Sequence, residues 1–307
     1  MSNVICQTSC LSKKYKDTYA LQDINFQIKK GEIYGLIGEN GAGKTTLMKL
    51  LTGIIFATDG EIEIFGERGY NNLVRKRNKI GCTIENPAIY GDLTARQNLE
   101  IHRLEKGVQS KNCVEEVLSL VKLTNDSKKK AKHYSLGMKQ RLAIAMALLG
   151  DPELLILDEP VNGLDPTGII ELRELLVSLN KEKGITIMIS SHILSELHKL
   201  ATCYGIIHGG KLVEQITAAE LDEKCRKHIY IQVDDVQSAV QILETKLNIQ
   251  DYSVFDNNVI KVYSHIDERS KVNRTLAQNN IFANDFTVRG DSLEAYFSRA
   301  IGGKQYA

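Results

Sequence analysis

Four short apolar runs punctuate the chain: EIYGLIG (32–38), ELLILDE (153–159), ITIMISSH (185–192) and CYGIIHGG (203–210). Each is rich in Ile, Leu or both and lacks the clean alternation of a half-exposed strand. That is the pattern of strands buried on both faces of a largely parallel sheet. Three of the runs end on polar residues: Gly38 onward, Asp158-Glu159, and Ser190-Ser191-His192. Ligands of open α/β sheets bind beyond the carboxyl ends of strands, so three such ends predict one chemical crevice. Upstream, VICQTSCLSKKYKD and ALQDINFQIKKGE read as antiparallel strands joined by a turn, and DGEIEIFGE (59–67) as another strand after an Asp-Gly turn. From about 90 to 150 the pattern is helical, as in TARQNLEIHRLEK and KNCVEEVLSLVKL, which predicts a helical insertion. After Leu212 the composition changes, and the remaining segments read as strand, helix, hairpin, helix, and a closing strand and helix. The expected organisation is an α/β domain over 1–219 and a small α+β domain over 220–307.

Composition narrows the classes. The 307 residues are 43% hydrophobic and 25% charged, as in ordinary globular proteins. With 39 basic and 38 acidic residues there is no bulk electrostatic case for nucleic acid or an anionic membrane. The cysteines at 6, 10, 82, 113, 203 and 225 are scattered and complete no metal set, so reduced thiols of a cytosolic protein are expected. The amino terminus lacks a basic segment followed by an apolar run, and the most apolar helical stretch, LAIAMALLG, is far short of the roughly 18 residues a membrane span needs. The basic run at 128–132 reads as a solvated loop face.

GENGAGKTT (38–46) fits G-x-x-x-x-G-K-[ST] between an apolar strand and a helical pattern, the context a phosphate-binding loop requires. Gly38, Gly41 and Gly43 let the backbone bend so that N–H groups of the loop, including those of Glu39, Asn40 and Ala42, enclose phosphate oxygens. Lys44 is placed to reach the β- and γ-phosphates, Thr45 to ligate Mg²⁺, and Thr46 to hydrogen-bond a phosphate. A Gly-rich turn without function would not carry Lys-Thr-Thr in register after a strand. Asp158 fits a holder of Mg²⁺, directly or through water, and Glu159 a group that polarises an attacking water. Adjacent acids are often only a turn, but these follow four apolar residues and accompany a phosphate loop. A lone His near a strand end is more often structural. His192 ends a buried strand beside two chemically loaded ends, so a γ-phosphate contact is the expectation. Ser135 precedes a helix-forming run and reads as an N-cap, which makes a second anion-seeking helix start.

The order of these motifs resembles the nucleotide-binding subunit of an ABC transporter, over residues 1 to about 220. The resemblance implies an ABC ATPase fold, with a mostly parallel core sheet, an antiparallel β subdomain and the helical insertion. It also implies ATP-driven transport with ATP and Mg²⁺. The signature helix of the family corresponds to Ser135–Arg141 and its next loop to NGLDP (162–166). In the family two cassettes pack head to tail, so Ser135 and Gly137 would grip the γ-phosphate of the nucleotide on the other subunit, and Asp165 would link the two sites. Tyr15, with Tyr19 as the alternative, falls where an aromatic ring meets adenine. In IGCTIENPAIY (80–90), Glu85 stands where the family has Gln touching Mg²⁺ or the water; the added charge should alter Mg²⁺ affinity or its pH dependence. The signature departs at Leu136 and Met138, where Gly and Gln are usual.

The segments Ile-Glu-Asn-Pro and Ser-Leu-Gly-Met-Lys-Gln-Arg, with a small C-terminal domain ending in SLEAYFSRA, resemble the ATPases of bacitracin-resistance and lantibiotic-immunity exporters. That resemblance implies a second nucleotide-binding subunit, integral membrane permeases, and a peripheral place at the cytoplasmic face of the membrane. Three other readings remain open. Export of a lipid or drug is one. A soluble ATPase of this class acting on ribosome or DNA is another, but its ribosomal relatives carry two cassettes in one chain. About 90 residues between Lys44 and Tyr134 are also too few for the long coiled coil of chromosome-type relatives. A small-molecule kinase would use the phosphate loop but has no use for the signature helix or NGLDP.

Overall fold

The computed structural model describes residues 3–85 and 88–302, and the chain divides into two compact units, residues 1–218 and 219–307. The first unit begins with β1 (Val4–Tyr15), β2 (Thr18–Ile24), β3 (Gln27–Lys29) and β4 (Ile33–Ile37), followed by α1 (Lys44–Thr52), β5 (Asp59–Ile64), α2 (Tyr70–Arg77) and β6 (Ile80–Thr83). The helical insertion follows, with α3 (Ala95–Glu105), α4 (Asn112–Leu120) and α5 (Leu136–Leu148). The unit closes with β7 (Leu154–Leu157), α6 (Pro166–Lys183), β8 (Thr186–Ser191), α7 (Leu194–His198), β9 (Cys203–His208) and β10 (Lys211–Thr217).

The core sheet runs β10-β9-β4-β8-β7-β6. Its five strands from β9 to β6 are parallel and β10 is an antiparallel edge. Strands β4, β7 and β8 are buried at every position, as their unbroken apolar runs require. The order places β8 between β4 and β7, so the carboxyl ends of the phosphate-loop strand, the Asp158-Glu159 strand and the Ser190-Ser191 strand adjoin. A second, antiparallel sheet pairs β1 with β2, β3 and β5.

Thr94 and Gln97 form a reciprocal capping box at the start of α3. Helix α5 is buried at all seven positions from Leu142 to Leu148, which accounts for the apolar run LAIAMAL: it is the centre of the insertion. Its carboxyl end is closed by Lys106, whose Nζ donates to the carbonyls of Met146, Ala147 and Leu149 at 3.0–3.4 Å. No helix among the described residues is long and apolar enough to cross a membrane.

The second unit comprises α8 (Ala218–Cys225), which starts at the boundary, then β11 (His228–Val233), α9 (Val236–Leu247), β12 (Tyr252–Phe255), β13 (Val259–Val262), α10 (Arg269–Gln278), β14 (Ala283–Arg289) and α11 (Leu293–Ala300). Its antiparallel sheet has the order β12-β13-β11-β14. With the chain order β-α-β-β-α-β, this is the ferredoxin-like split βαβ arrangement. Ile229, Ile231 and Val233 of β11 form its core with Leu243 of α9 and Val272 and Leu276 of α10.

Candidate functional site

The phosphate loop takes its shape from tight packing. A side chain at Gly38 would lie 2.5 Å from the Ile207 carbonyl of β9. Gly43, at φ 112°, is in a region that L side chains rarely adopt, and a Cβ there would meet Leu21 at 2.6 Å. The loop is thus pressed between β9 and β2, and α1 starts at Lys44 with its free N–H groups at the strand ends. Gly38 needs close approach, whereas Gly41, at φ 82°, has nothing within 4 Å of its missing Cβ and needs only the backbone angle.

Lys44 is 6% exposed, and its Nζ donates to the carbonyls of Gly38 and Glu39 at 2.6 and 3.2 Å. It also stands 3.1 Å from Oε1 of Glu159, an ion pair that falls outside hydrogen-bond geometry, since that oxygen has no hydrogen-bond partner. The other carboxylate oxygen of Glu159 lies 2.8 Å from Nδ1 of His192. A carboxylate only accepts, so Nδ1 carries the hydrogen. Both groups expected on the γ-phosphate therefore meet on Glu159. Glu159 itself has φ 48°, a left-handed conformation costly for a side chain of its kind and typical of functional turns. Thr45 Oγ1 donates to Asp158 Oδ2 at 2.7 Å. Ser190 Oγ donates to Asp158 Oδ1 at 2.6 Å and accepts the Glu159 N–H at 2.8 Å, so it fixes both acids at once. Sequence reasoning noted Ser190 only as a polar strand end; its role follows from β8 lying beside β7. Glu39, Asn40, Gly41, Gly43, Lys44, Thr45, Thr46, Glu159 and Ala20 of β2 line a cavity of about 190 Å³ over the loop. Ala42 is buried, and its N–H donates to the Glu39 carbonyl.

The second group of expected residues gathers elsewhere. Ser135 caps α5, its Oγ accepting the Met138 N–H at 3.2 Å, and Asp165 caps α6 by accepting the Gly168 N–H at 3.1 Å. Both line a cavity of about 400 Å³ with Gly137, Leu136 and Arg141. No residue is common to this cavity and the one over the phosphate loop. Within one chain, then, Ser135, Gly137 and Asp165 are together but are not joined to Lys44. Tyr15 and Tyr19 are each 48% exposed near the β1–β2 turn, under the ammonium groups of Lys13 and Lys14, and neither lines the loop cavity. Glu85 is bound at 2.6 Å by Lys49 of α1, and no hydrogen bond or ion pair joins it to Thr45 or Asp158 among the described residues. Asn86 and Pro87 of the Ile-Glu-Asn-Pro segment lie outside the described residues.

Thr45 and Asp158 offer hard oxygen donors side by side. That suits Mg²⁺, which is usually held by one or two protein oxygens and completes its shell with phosphates and water.

A parallel sheet with a phosphate loop, two acids and a histidine at adjoining strand ends defines a P-loop nucleoside triphosphatase. Residues 21–162 match the family model of the ABC transporter. The bacitracin transport ATP-binding protein BcrA of Bacillus licheniformis is 47% identical over 303 residues, covering 99% of both chains. The lantibiotic transport ATP-binding protein SrtF of Streptococcus pyogenes is 49% identical over 203 residues, 66% of this chain and 86% of that one. Among solved structures, the ATP-binding cassette MJ0796, a dimer in a post-hydrolysis state bound to ADP and Pi, has a TM-score of 0.63 at 25% identity. It covers 70% of this chain and 99% of its own. The chain belongs to the ABC transporter family as an ATP-binding subunit and is an ATPase. Its relatives are of the subgroup that the Ile-Glu-Asn-Pro and Ser-Leu-Gly-Met-Lys-Gln-Arg segments resemble.

Proposed function

We propose that the chain powers export of a peptide antibiotic of the bacitracin or lantibiotic type through separate membrane permeases, as a peripheral subunit at the cytoplasmic face. The cargo reading rests on the names of the relatives, the bacitracin one similar over its full length and the lantibiotic one over 66% of this chain. The observation that carries the chemistry is the continuous set of contacts from Thr45 through Asp158 and Ser190 to Glu159, Lys44 and His192.

Thr45 and Asp158 would hold Mg²⁺, which when bound supplies positive charge to phosphate oxygens. Lys44, buried at the loop, stabilises the charge that develops on the transferred phosphoryl group. Glu159 accepts the proton of the attacking water, and His192 keeps its carboxylate oriented. Ser135 and Gly137 act on nucleotide held by a second copy, because no residue lining their cavity also lines the loop cavity of their own chain. Tyr15 provides the surface for adenine. Residues 219–307 form a second compact unit whose described residues supply none of the groups named above.

Deleting the gene in its host and measuring growth inhibition by bacitracin and by a lantibiotic tests the reading. Sensitivity should rise and be restored by the wild-type chain but not by Glu159→Gln. Unchanged sensitivity to both antibiotics would overturn the cargo assignment, and restoration by Glu159→Gln would overturn the role of hydrolysis.

A further inference from the structure

A second cleft opens at the other end of the core sheet. It is larger than the cavity over the phosphate loop, about 670 against about 190 Å³. Glu153 and Thr186 border it at the amino ends of β7 and β8, whereas Asp158, Glu159 and His192 follow the carboxyl ends of the same strands. One wall belongs to the insertion, with Val117 of α4 and Leu148 at the end of α5. The other belongs to the core, with Leu179 of α6 and Ile185 before β8. These four side chains are buried, so the floor is apolar.

The charges around that floor are sorted by sign. On the core side Asn180 Nδ2 donates to the Gly31 carbonyl at 2.9 Å, and the Gly31 N–H donates to Thr186 Oγ1 at 2.9 Å. These bonds bring Lys30 beside the end of α6, where Lys183 sits, and both lysines line the cleft. On the insertion side stand Glu116 of α4 and Asp151, which follows α5. Burial raises the Cys113 thiol, which also lines the cleft, and the charges of Glu116 and Asp151 push it up against the pull of Arg103. Both acids therefore lie near one atom. Arg103 is itself taken by Glu100 and the Val108 carbonyl, and the remaining acid of the cleft, Glu153, by Lys79. Lys30, Lys183, Glu116 and Asp151 are exposed, and among the described residues their side chains make no ion pair or hydrogen bond.

We propose that this cleft binds a short apolar peptide with free ends, its carboxylate at Lys30 and Lys183 and its ammonium at Glu116 and Asp151. An ammonium only donates and a carboxylate only accepts, so each rim calls for a group of the opposite kind. An anion with an apolar tail would satisfy the lysines and leave both acids unmatched; a cation with such a tail fails in the reverse way. Apolar side chains between the two charges match the floor, and the volume is that of a site for a drug-sized ligand. Because its walls come from the insertion and from the core, the bound peptide bridges the two. The inference is independent of the reading of the nucleotide site.

The test titrates the full chain with the tetrapeptide Ala-Leu-Leu-Ala by calorimetry and locates the ligand by alkylation of cysteines, read by mass spectrometry. Binding should saturate and slow the alkylation of Cys113, with no change at Cys10, which is exposed and does not line the cleft. Ala-Gly-Gly-Ala should bind at least about tenfold more weakly, because it buries no leucine side chain. Acetylating the amine of Ala-Leu-Leu-Ala should weaken binding to wild type about two- to fivefold, the range of an exposed ion pair. The same change should have no effect on a chain carrying Glu116→Gln and Asp151→Asn. Amidating the carboxylate should cost wild type a similar factor and leave a chain carrying Lys30→Gln and Lys183→Gln unaffected. The blocked peptides test the charges on wild type as well, so the outcome does not hang on the folding of a variant. Absence of saturable binding, an unprotected Cys113 or equal affinity for the glycine peptide would overturn the proposal. So would blocked ends that weaken binding equally in wild type and in the variants.

Discussion

At Glu159 a single carboxylate is shared between a buried ammonium and an imidazole, at 3.1 and 2.8 Å. Glu159→Gln keeps the shape and most of the hydrogen bonding to His192 but cannot take a proton. Hydrolysis should fall about 10²–10⁴-fold, the usual size of a general-base contribution. ATP binding, carried by the loop and Lys44, should persist. Single-turnover hydrolysis beside nucleotide binding separates the two, and equal losses in both would contradict the assignment.

A second residue-scale expectation concerns the thiols. Burial pushes Cys6 up to about 12 and Cys203 up to about 11, from an ordinary value of 9.0. Because the folded values are raised, the protons are held more tightly in the folded chain. The associated stability is complete below pH 9 and is lost as pH rises from there through 11 and 12. The slope is at most about 1.4 kcal/mol per pH unit per thiol. Denaturant unfolding between pH 8 and 11 should show wild type losing stability faster than Cys6→Ala; parallel curves would contradict this.

At the scale of elements, the start of α5 sets stability against function. Gly137 lies in the first helical turn with no left-handed angle, and a Cβ there would meet only Leu164, at an ordinary 3.8 Å. Its own chain therefore gives no reason for glycine, which costs a helix roughly 0.5–1 kcal/mol relative to alanine. Gly137→Ala should raise the unfolding free energy by up to about that amount. It should also slow hydrolysis by up to about a hundredfold, since a displacement of about an ångström at reacting groups can cost that much. A thermal melt and a turnover assay moving in the same direction would argue against the role of Gly137 at a neighbouring nucleotide.

The same scale shows what the sequence could reveal. Strands β4, β7, β8 and most of β9 were legible because burial on both faces leaves a largely apolar run, helices α3 and α4 because they are amphipathic, and α5 because its apolar stretch is too long for a strand. Strand β6 has only four residues, Ile-Gly-Cys-Thr, and α2 buries only Leu73, so neither carries a usable period. Lys44, Thr45, Asp158 and Glu159 could be named from local spacing. Ser190 and Lys49 could not, because their partners are 31, 32 and 36 positions away and meet them only through strand order.

For the whole molecule the decisive feature is that the two sets of residues proposed to meet nucleotide line separate cavities in one chain. If each nucleotide lies between the phosphate loop of one copy and the Ser135 helix of another, a monomer has no complete site. Specific activity should then rise with protein concentration until dimers saturate. The sharper consequence is complementation. Lys44→Ala removes the phosphate-loop half and Ser135→Ala the signature half, so neither homodimer keeps an intact site. A mixed two-fold dimer keeps one, formed by Lys44 of one copy and Ser135 of the other. Random mixing makes half the dimers mixed, each with one of two sites, so at most about a quarter of wild-type activity should return. Steady-state hydrolysis of the two variants, alone and mixed at a concentration where sedimentation shows dimers, measures it. A mixture no more active than the sum of its parts, with specific activity independent of concentration, would mean that each chain completes its own site by a rearrangement of the Ser135 helix.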